Sequence, residues 1–188
     1  MSNSIDANFK VSSDFKKKDF IEVVKKISGI EKPEKEIKEY KPPERLSHFL
    51  QFSYIPNGQE MAINANWYIQ ENKIYLSSSS YLPVDFFVTT IKKAYNLLKV
   101  PCHGNDEYSL NPELEEVGEE GIAERRIFSF NIFTPEEVKT IGETIILKAP
   151  WEVKEKLKDG SILTQIHKDS FSSTLDLRKK IRKMLNHD

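Results

Sequence analysis

Hydrophobic and polar residues alternate with great regularity between positions 61 and 70. The apolar positions are Met61, Ile63, Ala65, Trp67 and Ile69, and asparagine or glutamine fills several of the positions between them. A period of two residues is typical of a β-strand with one buried face and one solvated face. The pattern therefore predicts a strand whose Trp67 side chain points into the core.

The segments on either side of this strand predict a three-stranded antiparallel meander. The preceding segment, 47–55, leads into it through Asn57-Gly58, a pair that accepts the positive φ angles of a tight hairpin turn. The following segment, 74–82, comes after a short turn at 71–73. Consecutive strands that are joined by short turns pair most simply with their neighbours in sequence.

Apolar residues at helical spacing predict four helices. They recur every three or four residues after positions 13, 83, 134 and 173, which is the period of a helix with one buried face. Ser13 or Asp14 is placed to cap the first helix, and Pro83 to open the second. Thr134, Pro135 and Glu137 form a capping box with proline at the first helical position, and that helix is expected to end at Pro150.

A β-hairpin is predicted between the third and fourth helices, with its turn at Asp159-Gly160. Apolar residues share one parity on its first strand, and lysines occupy the other parity at Lys154, Lys156 and Lys158. One face is therefore expected against the core and the lysines in solvent. Lysines on an exposed strand also discourage edge-to-edge pairing with other chains.

The order of these elements favours an α+β fold, because strands and helices do not alternate strictly as they do in a parallel doubly wound sheet. We predict an antiparallel sheet, made of the meander and the C-terminal hairpin, packed against three to four helices. The 188 residues suit a single domain, 1–188, that can bury a core without disulfides or metal. Residues 1–12 are expected to be loose, with at most a short strand at 9–11.

Composition and charge narrow the classes of function. The 28 basic and 29 acidic residues give a net charge of −1, so no global excess favours nucleic acid or a membrane surface. A single cysteine excludes an internal disulfide and favours a reducing compartment. No segment has the ~20 apolar residues of a membrane span, and residues 1–10 lack a signal-peptide pattern. We expect a cytoplasmic protein that binds neither nucleic acid nor membrane.

The sequence lacks the usual motifs of catalysis and of cofactor or metal binding, including glycine-rich phosphate loops, HExxH, paired CxxC and GxSxG. We therefore expect no enzymatic activity, no cofactor and no metal. Cys102-His103 is the most reactive-looking pair, because a histidine can generate the thiolate nucleophile. Adjacent side chains usually point apart, so the base would have to be His48 or His167. The alternative is thus a small-ligand-binding protein or an enzyme with a scattered site around Cys102 and His103.

The densest acidic run follows the second predicted helix. It consists of Glu113, Glu115, Glu116, Glu119 and Glu120. General acid–base catalysis needs carboxyls in fixed and unequal environments, which a run in a loop does not supply. A solvated loop is the plain interpretation, and the functional one is a surface that meets a basic protein partner.

Three short motifs lie close together in the segment 132–166. They are Ile-Gly-Glu at 141–143, Ala-Pro-Trp at 149–151 and Asp-Gly at 159–160. With them the segment, about a fifth of the chain, resembles the C-terminal part of small α+β immunity proteins from bacterial toxin–antitoxin competition systems. The resemblance implies a protein that neutralises a cognate protein toxin by binding it and that catalyses no reaction. On this hypothesis the acidic run Glu113–Glu120 is the expected partner-binding surface.

Overall fold

The computed structural model describes residues 4–28, 38–40, 47–54, 61–79, 83–106, 127–170 and 174–185. It shows an α+β fold with an antiparallel sheet and helices, as predicted. The chain forms two compact units, Met1–Cys102 and His103–Asp188, where the sequence analysis expects one domain. Five helices occur in the described ranges rather than three to four, because the predicted third helix is divided in two.

The first unit contains five strands and two helices among its described residues. In chain order they are β1 (Ser4–Lys10), α1 (Lys17–Ser28), β2 (Lys38–Tyr40), β3 (Ser47–Tyr54), β4 (Met61–Tyr68), β5 (Lys73–Ser79) and α2 (Val84–Leu98). The strands lie in the order β2-β3-β4-β5-β1. Because β3 pairs antiparallel with β4 and β4 with β5, the predicted meander is confirmed.

The expectation that residues 1–12 are loose is wrong for Ser4–Lys10, which form a strand. Residues Ser4–Lys10 form β1, which pairs antiparallel with β5 from Ser4 opposite Ser79 to Lys10 opposite Lys73. Its alternate residues Ile5, Ala7 and Phe9 are buried. The partner strand lies far along the chain, so local sequence signals did not reveal this pairing.

Trp67 lies in the core of the first unit, as predicted, and is 4% exposed. The Phe15 ring meets it edge-on at 5.3 Å between centroids, and the Phe20 ring lies at 6.1 Å. Phe20 belongs to the apolar stripe of α1. That helix begins at Lys17 rather than near Ser13, because the backbone N–H of Lys16 is capped by the Asp19 carboxylate at 2.9 Å.

The second unit contains three further strands and three helices among its described residues, and β6 crosses its boundary. In chain order they are β6 (Cys102–Asp106), β7 (Phe130–Phe133), α3 (Pro135–Ile141), α4 (Glu143–Lys148), β8 (Val153–Lys156), β9 (Ile162–Gln165) and α5 (Leu175–Leu185). β9 pairs antiparallel with both β7 and β8. β8 lies at one end of the strand order, β6-β7-β9-β8.

The predicted helix from 134 onward begins as expected and then breaks. Thr134 and Glu137 form the capping box: the Thr134 hydroxyl accepts the Glu137 N–H, and the Glu137 carboxylate accepts the Thr134 N–H at 2.8 Å. Gly142 has a φ of +99°, which ends α3 and lets α4 start in a new direction. A Cβ at this position would also lie 3.2 Å from the Ile145 side chain.

The hairpin of β8 and β9 turns at Asp159-Gly160, as predicted, with Gly160 at a φ of +90°. The lysines of its first strand are exposed, and two of them also hold α4. Lys154 Nζ donates to the Leu147 carbonyl at 2.7 Å, and Lys156 Nζ pairs with the Glu143 carboxylate at 2.7 Å. A cation at a helix C-terminus is favourable because the last carbonyls there have no helical partners.

Candidate functional site

The structure places the sequence candidate Cys102 where a substrate has no access to it. Its side chain is completely buried, whereas His103 is half-buried and stacks on Phe128 at 4.0 Å between ring centroids. His167, a possible base, is engaged with the Glu152 carboxylate at 3.0 Å. The observed burial gives no support to a thiol-based active site around Cys102 and His103.

The acidic residues Glu113, Glu115, Glu116, Glu119 and Glu120 lie outside the described residues, so their role in partner binding stays a prediction. Within the described ranges, no group of three or more His, Cys, Asp or Glu is arranged to hold a metal ion. In the same ranges, no helix has the length and apolar character needed to cross a membrane.

Glu152 and His167 form a hydrogen-bonded pair in the second unit. One Glu152 carboxylate oxygen bonds His167 Nδ1, and the other accepts the backbone N–H of Lys168 at 2.8 Å. The bond with His167, followed by the bond with Lys168, lowers the pKa of Glu152 below its ordinary value. Gln165 Nε2 also donates to the Lys168 carbonyl at 3.0 Å, so these contacts hold the chain where it leaves β9.

A more extensive candidate is the side of β1, β4 and β5 that lies opposite their buried side. We call it the polar sheet face and define it as Asp6, Asn8, Asn64, Asn66, Tyr68, Tyr75 and Ser77. These residues alternate with buried ones on β1, β4 and β5, as the period of a strand requires. Each is half-buried, which sets the face apart from a fully solvated surface.

The strand register brings these residues into rows. Asp6 and Asn64 lie on either side of Ser77, and the next row places Asn8 and Asn66 on either side of Tyr75. Directly opposed side chains are about 4.5–5.5 Å apart at Cβ, so each row is a set of near neighbours. The Tyr68 and Tyr75 rings meet edge-on at 5.0 Å between centroids.

The polar sheet face carries groups that suit recognition of another molecule. Amide, hydroxyl and carboxylate groups can donate and accept hydrogen bonds in many directions, and the tyrosine rings add apolar contact area. The Asn8 Oδ1 atom is buried and accepts no hydrogen bond from the described residues. The nearest lysines, Lys10 and Lys73, stand opposite each other at the end of the face.

A cleft of about 490 Å³ opens between α1 and the C-terminal part of α2. Its apolar lining includes Val11, Phe15, Val23 and Leu97, and its charged lining consists of Asp19, Glu22 and Lys26. Ser12, which also lines the cleft, donates a hydrogen bond to the Asp14 carboxylate, and this bond lowers the pKa of Asp14. The cleft therefore combines these apolar residues, which we call its floor, with the Asp19 and Glu22 carboxylates.

Sequence reasoning identified only part of these surfaces. The alternation at Asn64 and Asn66 predicts one polar strand face, but the sequence analysis expects a loose segment at Asp6 and Asn8. Their signal was the alternation with Ile5, Ala7 and Phe9. The cleft had no local signal, because its lining comes from residues 11–26 and 97–100, which are distant in sequence.

No protein-family model, no curated protein and no solved structure matches the chain.

Proposed function

We propose that the protein acts by forming a one-to-one complex with a protein partner, and that this partner is a cognate bacterial toxin that it neutralises. The polar sheet face is the observation that carries the proposal of protein binding. The resemblance of residues 132–166 to immunity proteins suggests the class of partner.

The composition of the polar sheet face supports a protein-binding role. Tyrosine is enriched in protein interfaces, whereas lysine, glutamate, aspartate and serine are depleted there, so Tyr68 and Tyr75 carry this part of the argument. Tyrosine provides a large contact area at a small entropic cost, and asparagine and serine adapt their hydrogen bonds to a partner. A strand face selected only for solubility would favour lysine and glutamate, whereas on this side of β1 and β5 lysine occurs only at the end of the polar sheet face, at Lys10 and Lys73.

The rows of the polar sheet face also offer a stable platform. Its backbone is held by antiparallel pairing of β1, β4 and β5, and its reverse side is the core that contains Trp67. A binding surface on paired strands loses little backbone entropy when the partner arrives. Such a surface suits a stoichiometric inhibitor, which must hold its target rather than turn over a substrate.

The test begins with capture of partners from the native host by the tagged full-length protein. Binding of the captured protein is then measured by biolayer interferometry for the wild type and for Asn66→Arg, which places a long cation beside Tyr75 on the polar sheet face. We expect the dissociation constant to rise about tenfold or more, since a desolvated unpaired charge costs more than 1.4 kcal/mol.

Thr89→Arg is the matched control, because it adds the same cation to an exposed position of α2. It should leave the dissociation constant unchanged. Equal binding by wild type and Asn66→Arg would remove the polar sheet face from the proposal. Failure to capture any protein, together with a small molecule that raises the melting temperature, would overturn the proposed function itself.

A further inference from the structure

We propose that the cleft between α1 and α2 receives a lysine or arginine side chain of the protein partner. The aliphatic stem of that side chain lies along the apolar floor, and its cationic group meets Asp19. This inference rests on the proposed function, because it assigns the cleft to the same partner.

The floor of the cleft has the surface that a long aliphatic stem needs. Leu97 is 39% exposed, and among the residues whose side-chain exposure is described only one other large hydrophobic residue, Met184, is comparably exposed. Phe15 lines the cleft while its ring rests edge-on against Trp67 at 5.3 Å, so the floor is anchored to the core. Exposed apolar surface at a concave site gains free energy when a partner covers it.

The charges of the lining leave one carboxylate for an incoming cation. Lys26 Nζ pairs with Glu22 at 2.6 Å, so these two opposite charges compensate each other. Asp19 forms no ion pair with the described residues, and one of its oxygens accepts the Lys16 N–H at 2.9 Å. An ionised carboxylate has about four acceptor positions, so most of the acceptor capacity of Asp19 remains for a ligand.

Lys16, Lys17 and Lys18 precede Asp19 in sequence but do not line the cleft. On the acidic side, the Asp14 carboxylate adjoins the lining residue Ser12 and keeps a lowered pKa. The cleft therefore favours a ligand that is apolar along its length and positive at its end.

Lysine and arginine side chains have this combination of properties. Their methylene stems cover apolar surface while the charged group stays at the polar boundary. A hydrogen bond between a cation and a carboxylate is about twice as strong as one between neutral groups. The short distance between the floor and Asp19 on α1 allows one side chain to use both surfaces, since Asp19 and Val23 lie one helical turn apart.

The first experiment follows ¹H–¹⁵N NMR spectra of the labelled full-length protein during titration with N-acetyl-Leu-Arg-Leu-amide. The same peptide with citrulline in place of arginine is the neutral comparison. We expect the amide signals of Val23 and Leu97 to shift, and the arginine peptide to bind about fivefold or more tightly than the citrulline peptide. Equal affinities, or shifts confined to other parts of the chain, would overturn the inference.

Two variants and their matched controls test the two halves of the cleft. Asp19→Asn retains an acceptor for the Lys16 N–H and should abolish the preference for arginine, whereas Asp176→Asn in the first turn of α5 should preserve it. Leu97→Ser should weaken both peptides, whereas Met184→Ser should weaken neither. Circular dichroism and melting temperatures confirm that all four variants fold.

Measurements with the captured partner separate this inference from the proposed function. If Asn66→Arg weakens the complex and Asp19→Asn does not, the cleft is not a partner site and the proposed function stands. If the arginine peptide binds the cleft but no protein partner is captured, the proposed function fails. Weakening of the complex by both Asp19→Asn and Leu97→Ser, but not by their controls, is the result that we expect.

Discussion

In the first unit, β1 leads into α1 and then pairs with β5, the last strand before α2. In the second unit, β7 leads into α3 and α4 and then pairs with β9, the last strand before α5. In both cases the first strand of this series lies antiparallel to the last. The two units thus share an order of elements and a strand pairing, although the sequence contains no residue-level repeat that we can identify.

Their sheets differ in burial. On β1, β4 and β5 of the first unit, buried residues alternate with half-buried polar ones. On β7 and β9 of the second unit, all four residues of each strand are buried. The same pairing scheme therefore supports strands with one accessible polar face in the first unit and two strands that are buried on both faces, β7 and β9, in the second.

This difference suggests a division of roles that experiments can test. A strand buried on both faces tolerates few polar changes, because each side chain must find its hydrogen bonds inside the protein. Asn131 in β7 illustrates the requirement: its amide donates to the Phe128 carbonyl at 2.8 Å and accepts the Phe128 N–H at 3.2 Å. The first unit, in contrast, can change its polar sheet face without disturbing its core.

The largest expected effect on stability comes from introducing a lysine into a strand that is buried on both faces, compared with the same residue introduced on the polar sheet face. Leu163→Lys in β9 buries a charge at a position with no exposure and should lower the free energy of unfolding by about 4 kcal/mol or more. Asn66→Lys on the polar sheet face should change it by less than about 1 kcal/mol. Urea denaturation followed by circular dichroism measures both, and similar losses would contradict the proposed difference between the sheets.

Trp67→Ala should have the next largest effect, because it empties part of the core beneath the polar sheet face. Truncation of a buried tryptophan costs about 3–5 kcal/mol, and Trp67 also contacts the Phe15 and Phe20 rings. Trp67→Phe keeps most of the aromatic volume and should cost less. If Trp67→Ala were as stable as the wild type in the same denaturation experiment, the core assignment would be wrong.

Thr164→Val should stabilise the second unit by about 1 kcal/mol. The Thr164 hydroxyl is fully buried and has no hydrogen-bond partner among the described residues, and valine has nearly the same shape. Thr90→Val in α2 is the control, because the buried Thr90 hydroxyl donates to the Phe86 carbonyl at 3.0 Å. Thermal denaturation should show a higher melting temperature for Thr164→Val but not for Thr90→Val. A lower melting temperature for Thr164→Val would indicate that the Thr164 hydroxyl has a hydrogen-bond partner.

The smallest expected effect concerns the acid stability of the β8–β9 hairpin. Hydrogen bonds from His167 and Lys168 lower the pKa of Glu152 below its ordinary value, so its contribution is complete above that ordinary pKa and is lost as the pH falls through the lowered one. Glu152→Gln should therefore differ from the wild type most at neutral pH and match it in strong acid. Urea midpoints between pH 7 and pH 3 measure this difference.

Glu136→Gln is the comparison for that experiment, since Glu136 is exposed in the first turn of α3 and outside the hairpin contacts. Its urea midpoint should not follow the pH profile of Glu152→Gln. A constant difference between wild type and Glu152→Gln across the pH range would show that the ionised carboxylate does not stabilise the hairpin.

Local sequence signals determined the elements that depend on short-range physics. The Thr134–Glu137 capping box, the Asp159-Gly160 turn and the buried parity of β4 were all predicted correctly, because each depends on neighbouring residues. The break at Gly142 was missed, since the apolar spacing continues through it and only the positive φ angle reveals the change of direction.

Tertiary structure decided the features that depend on distant segments. β1 becomes a strand because β5 offers its hydrogen bonds, and Asp6 and Asn8 join the polar sheet face only through that pairing. The cleft forms only where α1 meets the end of α2. Periodicity predicts that one face of a strand is polar, but long-range packing decides which strands lie beside it and form a surface. Long-range packing also buries both faces of β7 and β9.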